Sequence, residues 1–399
     1  MRVAVVAPTT IPSKKANTLQ VMKMTQAISS IGHLVHLIIP DSTQSSDEAK
    51  RRWDFLADQY GLQAKFPMDW LSARASLRKY DFAWKAVRWA RHWGADVIYT
   101  RLPQAAALAA NRNMNTIFEI HDLPQGTFGP KLLRLFLRGC DAEKLVVISR
   151  ALADDLQRES YQLPNSQLLE VLPDGVDLVR FESLPAPDQS RKLLARILES
   201  QHLAAGSTFS TEQITMGYTG HLYPGRGVNL ILEIAARIPS ANFLIVGGEQ
   251  SDVHKLQEQV KNRRLDNVTL TGFVPNADLP KYQAACDVLL MPYKSKVTAS
   301  SGGDIGRYLS PMKLFEYLAC GRAICSSNLP VLQEILSNEN AVLLPPDEVD
   351  AWVAAIQDLI DNPNLRRDLG EKARKTAQKY SWKARAEKIF KDIEVSSVI

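Results

Sequence analysis

Short apolar runs alternate along the first part of the chain with longer segments whose apolar residues recur every three or four positions. The runs span residues 3–7, 35–39, 96–100, 116–120, 144–148 and 168–172. Such runs, separated by helical periodicity, predict the strands of a parallel sheet joined by helices that cover both of its faces. Residues 47–93 are predicted to form helices and loops.

The same alternation begins again at residue 214. Strands are predicted at 214–219, 243–246, 268–270, 287–291, 323–325 and 342–346, and helices at 350–360, 365–379 and 383–393. Between the two series, Pro173, Asp174 and Gly175 predict a turn that closes the first domain, and residues 181–211, with one short helical patch, predict a linker or insertion. The chain is therefore predicted to form two α/β domains.

Composition is that of an ordinary globular protein, with 45% hydrophobic and 23% charged residues among 399. The four cysteines show no metal-ligand spacing, so we expect reduced thiols and no metal site. No apolar run approaches the roughly 18 residues of a membrane-spanning helix, and the N-terminal run is too short for a signal peptide. These features predict a cytoplasmic protein.

Positive charge is concentrated in the first part of the chain. Residues 1–170 carry 22 Lys and Arg against 16 Asp and Glu, a net charge of +6, whereas the remainder carries −1. Two predicted helices present basic residues beside apolar ones: Lys85, Arg88 and Arg91, and Lys131, Arg134 and Arg138. This pattern suits peripheral contact with an anionic membrane, or alternatively a solvated basic face. The aromatic arrangement of a known nucleic-acid module is absent, so no nucleic acid is expected.

Candidate chemistry in the second domain begins at a predicted helix start. Ser310 and Pro311 predict the first residues of a helix that ends at Gly321. Lys313 and Glu316, three residues apart, share one face of it. A lysine near free helix amides favours phosphate, and the carboxylate suits sugar hydroxyls. The alternative is an exposed ion pair that binds nothing.

A glycine-rich loop follows the predicted strand 214–219. It begins with Gly220 and His221 and ends with Arg226 and Gly227. Glycines allow the backbone to approach a diphosphate, whose charge Arg226 would neutralise. The alternative is an ordinary strand-to-helix turn.

Polar residues also follow strands of the first domain. His121, beside Asp122, follows strand 116–120 and could serve as a base or a hydrogen-bond donor, or the pair could merely cap the next loop. Arg101 follows the neighbouring strand. The loop 9–17 lies at a strand end where ligands bind in such sheets, but it lacks the G-x-G-x-x-G fingerprint of dinucleotide sites.

The segment 310–321, the Pro173–Gly175 turn and the Arg226 loop together resemble glycosyltransferase family 4, the group 1 glycosyltransferases. Members carry two glutamates separated by seven residues, and Glu316 matches the second. The first glutamate, which reads the donor sugar, falls at Tyr308. The resemblance therefore leaves Asp304, Arg307 and Tyr308 as candidates to replace it.

The resemblance implies the retaining GT-B fold, an α/β architecture of two Rossmann-like, doubly wound parallel-sheet domains facing across a cleft. Residues 1–175 would form the acceptor domain, on which the final helix 383–399 packs, and 176–382 the donor domain. Implied catalytic residues are His121, Arg226 and Lys313. Implied donor-binding residues are Gly220, His221, Phe273, Val274, Tyr308, Leu309, Ser310, Pro311, Leu314 and Glu316. The implied acceptor or phosphate loop comprises Lys15, Ala16, Asn17 and Arg101.

The implied activity moves a sugar, with glucose as the first choice, from a nucleotide diphosphate sugar to a glycan or lipid-linked acceptor in polysaccharide biosynthesis. UDP is the expected nucleotide, no cofactor is expected, and the location is cytoplasmic or peripheral to the inner face of the plasma membrane. Two alternatives stay open. One is a non-catalytic GT-B relative, which would explain Tyr308. The other is a different nucleotide-binding Rossmann enzyme, disfavoured by the missing fingerprint and the two similar halves.

Overall fold

The computed structural model describes residues 1–41, 48–159, 161, 168–200, 209–298 and 304–393. These residues form two compact units. The first contains the described residues up to Asp174 and those from Trp382 onward, and the second contains those of Gly175–Ser381. No helix in these described ranges is both long and apolar enough to cross a bilayer.

The first unit is built on a seven-stranded sheet whose paired strands all run parallel. Its strands are β1 (Arg2–Val6), β2 (Leu34–Asp41), β3 (Met68–Ser72), β4 (Val97–Thr100), β5 (Asn115–Ile120), β6 (Ala142–Val147) and β7 (Leu169–Val171). The order β3-β2-β1-β4-β5-β6-β7 reverses direction between β1 and β4. In such a sheet, ligands bind outside the carboxyl ends of the strands at this reversal.

Helices connect these strands, as the periodic segments predict. They are α1 (Ala16–Ser30), α2 (Glu48–Arg51), α3 (Trp53–Tyr60), α4 (Tyr80–Trp93), α5 (Pro103–Ala109), α6 (Gly129–Leu137) and α7 (Arg150–Arg158). The start of α7 shows how local sequence sets an end, because the Ser149 hydroxyl accepts the Leu152 amide at 3.3 Å.

The second unit repeats this plan on a six-stranded parallel sheet. Its strands are β8 (Thr215–Thr219), β9 (Asn242–Val246), β10 (Val268–Gly272), β11 (Val288–Met291), β12 (Ala323–Ser327) and β13 (Val342–Leu344). The order β10-β9-β8-β11-β12-β13 places its reversal between β8 and β11. The prediction of two doubly wound parallel-sheet domains is confirmed.

The helices of the second unit are α8 (Pro187–Ser200), α9 (Val228–Arg237), α10 (Gln250–Arg263), α11 (Leu279–Ala284), α12 (Met312–Cys320), α13 (Val349–Asp361) and α14 (Pro363–Ala377). The chain then enters α15 (Trp382–Phe390), which belongs to the first unit and packs against α1. In α12 the apolar residues Leu314, Phe315 and Leu318 are buried in the core.

Two elements differ from the sequence-based prediction. The edge strand β3 lies in residues that were predicted to form helices and loops. The sequence did not predict this strand because its side chains are mostly half-buried, so its apolar alternation is weak. The predicted linker contains α8, whose Leu194 and Leu198 are buried in the core of the second unit. Residues 201–208 of that predicted linker lie outside the described residues. In addition, α12 is preceded at its N-cap position by Pro311 rather than Ser310.

Candidate functional site

The sheet reversal of the second unit carries two neighbouring loops. The loop 220–227 follows β8, and Pro292 and Tyr293 follow β11. Gly227 lies where they meet, with φ of 75°, and a Cβ there would lie 1.6 Å from the Pro292 carbonyl oxygen. Only glycine allows this close approach, so the predicted glycine-rich loop is packed tightly onto the end of β11.

Two cationic side chains converge on aromatic rings at this reversal. The Nζ of Lys313 lies 3.8 Å from the ring centre of Tyr218 and 5.5 Å from that of Tyr293. The Arg226 guanidinium lies 5.2 Å from the Tyr293 ring centre and donates to its hydroxyl at 3.0 Å. The negative ring faces offset part of the cost of burying these charges. We call Lys313 and Arg226 the cation pair.

The cation pair has no acidic partner among the residues that the structure describes. The Lys313 Nζ is buried and donates no hydrogen bond there, and the Arg226 Nε is likewise buried without an acceptor. Burial, and then the nearby Arg226 charge, lower the pKa of Lys313 well below its usual value. An anion with several oxygens would satisfy both groups, so the arrangement is suited to binding a phosphate.

The start of α12 lies beside the cation pair, since Lys313 is in its first turn. Tyr308 and Leu309, which precede it, are buried, and Pro311 occupies the N-cap position with an extended backbone. The first amides of a helix lack partners within the helix, so they add to the attraction for an anion. The Leu314 side chain faces the core, which leaves only its backbone for this role.

Glu316 lies one turn further along α12 and does not pair with Lys313. Its Oε1 accepts the side-chain amide of Asn276 at 3.1 Å, and its Oε2 accepts that of Gln283 at 3.1 Å. The carboxylate is half-buried. Sequence alone did not indicate either amide, because Asn276 and Gln283 precede Glu316 by 40 and 33 residues.

Other predicted donor residues lie around the same strand ends. Gly220 follows β8, and a Cβ there would lie 2.8 Å from the Lys313 Nζ. The His221 ring stacks on Tyr223 with ring centres 4.7 Å apart, and its carbonyl accepts the Tyr218 hydroxyl at 2.6 Å. After β10, Phe273 is half-buried, and Val274 is buried in the core.

Asp304, a candidate to replace the family glutamate, uses its carboxylate within its own loop. Its Oδ1 accepts the amides of Val297 and Gly306 at 3.0 and 2.9 Å. Those two hydrogen bonds lower the pKa of Asp304. Arg307 is exposed, and Tyr308 is buried. Residues 299–303 of this loop lie outside the described residues.

In the first unit, a buried carboxylate collects four side-chain donors at the end of β5. Glu119 is 1% exposed and accepts Gln20 Nε2 at 2.7 Å, Arg385 Nη2 at 2.9 Å and the Tyr99 hydroxyl. His121 Nε2 lies 2.5 Å from its Oε1. Burial alone would raise the pKa of Glu119, but the Arg385 charge and the His121 hydrogen bond hold it well below its usual value.

The surroundings of His121 determine its protonation state. Burial and then the Arg101 charge lower its pKa to about 4, against the raising effect of Glu119. The ring is therefore neutral at pH 7. Because ionised Glu119 only accepts, His121 carries its proton on Nε2, and Nδ1 is left as an acceptor. The structure thus favours an acceptor role for His121 over the donor role that the sequence also allowed.

The remaining first-unit candidates lie near the reversal between β1 and β4. Lys15 is exposed and precedes α1, where its carbonyl accepts the amides of Thr18 and Leu19. Ala16 and Asn17 form the exposed first turn of α1. The Arg101 side chain donates to the Gln20 side-chain oxygen at 2.9 Å, so Arg101 joins the network of Glu119 rather than standing alone.

Arg385, in α15, ties the network to the end of the first unit. Its Nε donates to the Pro173 carbonyl at 2.9 Å, and its Nη2 donates to the Leu172 carbonyl at 3.1 Å. Asp174 follows and is buried. Burial raises the pKa of Asp174 to about 7, against the lowering effect of the Arg385 charge.

The sequence analysis did not identify Tyr218, Tyr293, Asn276, Gln283, Glu119 or Arg385. The signal for Tyr293 was its position just after a strand at the sheet reversal, the place where ligands bind. A charged residue inside an apolar strand was the signal for Glu119. In the described part of the chain, no cluster of three or more His, Cys, Asp or Glu residues is arranged to hold a metal ion.

Two family models match the chain. The model for glycosyl transferases group 1 matches residues 200–376, and that for Glycosyltransferase Family 4 matches residues 19–180. Together they span both units, and the second-unit match includes the cation pair.

Individual relatives are distant. The chain is 24% identical to the phosphatidyl-myo-inositol mannosyltransferase of Mycolicibacterium smegmatis over 63% of this chain and 58% of the relative. The chain spans about half the length of the curated relatives it matches. Among solved structures, sucrose-phosphate synthase from Thermosynechococcus elongatus gives a TM-score of 0.72 at 18% identity, over 98% of this chain and 97% of that one. Anabaena HepE in complex with UDP-glucose gives a TM-score of 0.69 at 17% sequence identity, over 98% of each chain. These likenesses show the GT-B fold.

Proposed function

This chain belongs to the group 1 glycosyltransferases of family 4, and from that membership we propose that it transfers a sugar from a nucleotide diphosphate sugar to a glycan acceptor. The observation that supports the proposal is the cation pair: the Lys313 Nζ and the Arg226 Nε are buried without an acceptor, and neither side chain has an acidic partner among the described residues. A diphosphate supplies the missing oxygens and charge.

Each part of a nucleoside diphosphate has a candidate partner in the second unit. The cation pair and the first amides of α12 would hold the diphosphate. Glu316 would accept the ribose hydroxyls, and the backbone of Phe273 and Val274 would contact the base. UDP is the proposed nucleotide, since solved neighbours of this fold include HepE in complex with UDP-glucose, and glucose is the proposed sugar.

The proposed chemistry is electrostatic. Negative charge builds on the leaving diphosphate as the bond to the sugar breaks, and prearranged cations stabilise that charge more than they stabilise the bound donor. His121, neutral and with Nδ1 as an acceptor, would fix a sugar hydroxyl. Retention of the anomeric configuration is proposed from family membership and is checked by the anomer of the product.

The first test is calorimetric titration of the wild type with UDP, GDP, ADP and NAD, followed by the sugar conjugates of the nucleotide that binds. Lys313→Met removes the ammonium and keeps a long apolar side chain. We expect it to weaken nucleoside diphosphate binding roughly 10- to 100-fold, because a hydrogen bond to a charged group is lost. Affinity for the nucleoside without phosphate should not change.

The matched control is Lys261→Met, which removes an exposed lysine from the last turn of α10. It should leave the nucleotide affinity at the wild-type value. Wild-type protein that binds NAD alone, or Lys313→Met that binds the diphosphate normally, would contradict the proposal. Binding without donor hydrolysis or transfer would favour a non-catalytic member of the family.

We propose in addition that the first unit contacts an anionic membrane peripherally, where a lipid-linked acceptor would be available. Exposed apolar side chains support this, namely Trp84 on α4, Phe128 just before α6 and Leu135 on α6. Arg88 lies over the Trp84 ring at 5.4 Å. Sedimentation with vesicles should show binding with phosphatidylglycerol and none with phosphatidylcholine, and Trp84→Ala should reduce it. Equal sedimentation with both lipids would contradict charge-dependent contact.

A further inference from the structure

The Glu316 carboxylate is held by two neutral amides from two different parts of the second unit. Asn276 donates to one oxygen and Gln283 to the other, each at 3.1 Å. We propose that Asn276 and Gln283 are positioning residues that aim Glu316 at the 2′- and 3′-hydroxyls of a nucleotide ribose. This inference rests on the proposed function, because it requires that the second unit binds a nucleotide.

The number of hydrogen bonds supports a diol as the partner. An ionised carboxylate has about four acceptor positions, two on each oxygen. The two amides use one position on each oxygen, so one position on each oxygen is left. A vicinal diol presents two hydroxyl donors side by side and matches this remaining pair. Because both amides are neutral, they orient Glu316 without cancelling the charge that makes it a strong acceptor.

The orientation of the Asn276 amide follows from its other neighbour. Arg180 Nη1 donates to Asn276 Oδ1 at 2.7 Å, and Arg180 also donates to the Asn276 backbone carbonyl. A guanidinium can only donate, so the oxygen of the amide must face Arg180 and its nitrogen must face Glu316. Asn276 is 6% exposed, which holds the side chain in this orientation.

Gln283 is anchored independently. Its side chain is fully buried in α11, and its Nε2 also lies 3.2 Å from the Thr219 hydroxyl at the end of β8. The Thr219 amide in turn donates to the Tyr317 hydroxyl at 2.8 Å. Gln283 therefore connects Glu316 to the strand that starts the glycine-rich loop. Two separately anchored donors restrict the carboxylate more than either would alone.

A purely structural role for the two amides makes a different prediction. In that case their loss would lower the stability of the protein and would weaken its binding of ribose and deoxyribose nucleotides equally. A positioning role predicts that the preference for ribose over 2′-deoxyribose is lost. The ratio of the two affinities is therefore the measurement that separates these roles.

The test uses the full chain in calorimetric titrations with two ligand pairs, UDP with 2′-deoxy-UDP and GDP with 2′-deoxy-GDP. Asn276→Asp retains the pairing with Arg180 and replaces the donor by a repelling oxygen. Gln283→Met retains the side-chain length and removes the donor. Asn267→Asp is the matched control, because the Asn267 amide donates, at 3.0 to 3.1 Å, to carbonyls at the end of α9 and just after it rather than to Glu316.

The wild type is expected to bind the ribose form roughly tenfold more tightly than the deoxyribose form, the effect of one hydrogen bond to a charged group. Both Asn276→Asp and Gln283→Met should bring this ratio close to one, and Asn267→Asp should keep it. Either variant suffices if the other does not fold.

Three results would overturn the inference, and they are distinguishable. Variants that keep the wild-type ratio show that the amides do not position Glu316, and the proposed function then stands. A wild-type ratio near one shows that Glu316 does not read the ribose. A wild type that binds no nucleoside diphosphate overturns the proposed function together with this inference.

Discussion

At the scale of single residues, two charged groups are held in unusual states by their surroundings. The Lys313 Nζ lies against tyrosine rings with no hydrogen-bond acceptor among the described residues, and burial lowers its pKa. Glu119 is a buried carboxylate with four donors. Lys313 lacks a partner in the part of the chain that the structure describes, which indicates that it binds an anionic ligand. The hydrogen bonds of Glu119 are satisfied within the protein, which indicates that it orients His121.

His121→Ala should leave nucleotide binding unchanged and reduce turnover roughly 10- to 100-fold, because one contact to the sugar is lost. Since the pKa of His121 is about 4, the wild-type turnover should show no inflection from this group between pH 5.5 and 8. Steady-state rates across this range check both statements. An inflection near pH 6.5 that His121→Ala removes would contradict the assigned neutral state.

At the scale of elements, the site depends on how strand ends and helix starts are joined. The loop 220–227 packs on residues that follow β11, and α12 brings Lys313 to the same place. In the first unit, α15 returns to the sheet and inserts Arg385 beside β5. Both junctions pair segments that are far apart in sequence.

Gly227→Ala should disrupt the junction between the β8 and β11 loops. Its φ is 75°, and the new Cβ would collide with the Pro292 carbonyl. We expect the free energy of unfolding to fall by several kcal/mol and the nucleotide affinity to fall by more than roughly tenfold. Gly32→Ala is the control, because Gly32 has a similar φ of 90° and open space around it. Its cost should be near 1 kcal/mol, without effect on binding. Urea unfolding and calorimetry measure both, and equal effects of the two variants would refute the collision.

A double-mutant cycle tests how α15 is held. Arg385→Met and Glu119→Gln should each reduce the free energy of unfolding by about 3–5 kcal/mol, because each leaves a buried charge without its partner. The double variant should lose less than the sum of the two. Arg158→Met, which removes an exposed arginine from its ion pair with the buried Asp155, should lose less than either of these variants, because the arginine itself lies in solvent. Urea titration followed by tryptophan fluorescence suits the first unit, which contains six of the seven tryptophans. Strict additivity would argue against the pair.

At the scale of the whole molecule, the chain builds the same order of six strands twice, with β7 added at one edge of the first sheet, and then returns to its first unit through α15. The residues at the two crossings are Asp174 and Trp382. Arg385 donates hydrogen bonds to the carbonyls of Leu172 and Pro173, the two residues before the first crossing. The stability of the first unit is therefore linked to groups that lie beside its connection to the second.

The pH dependence of stability should reflect Asp174. Its pKa is about 7 in the folded protein and near 3.8 when unfolded, so the unfolded state releases the proton first as pH rises. Its stabilising contribution is fully present below pH 3.8 and should fall by up to ~1.4 kcal/mol per pH unit until about pH 7. Asp174→Asn should remove this fall, and Asp154→Asn, at an exposed site on α7, should not. Urea unfolding at pH 5 and 8 makes the comparison. Parallel profiles for the wild type and Asp174→Asn would contradict it.

Local patterns were sufficient for most of the architecture. Apolar runs located the buried parallel strands, since strands that are covered on both faces consist mostly of apolar residues. Pro311 and Gly321 marked the two ends of α12, because each restricts or permits a particular backbone conformation. The half-buried edge strand β3 was not predicted, since its alternation of apolar residues is weak. The helix α8 was predicted only as a short helical patch, because Pro, Gln and Ser occur around its buried Leu194 and Leu198.

The composition of the site was less accessible. From the residues and the family resemblance, Lys313, Arg226, Glu316 and His121 could be named, because each lies beside a recognisable strand end or helix start. Their partners could not be named from any local pattern. Arg385 meets Glu119 across 266 residues, and Asn276 meets Glu316 across 40. Hydrogen bonds and burial depend on distances in space, so the charge state of His121 and the orientation of Glu316 emerged only when the chain had folded.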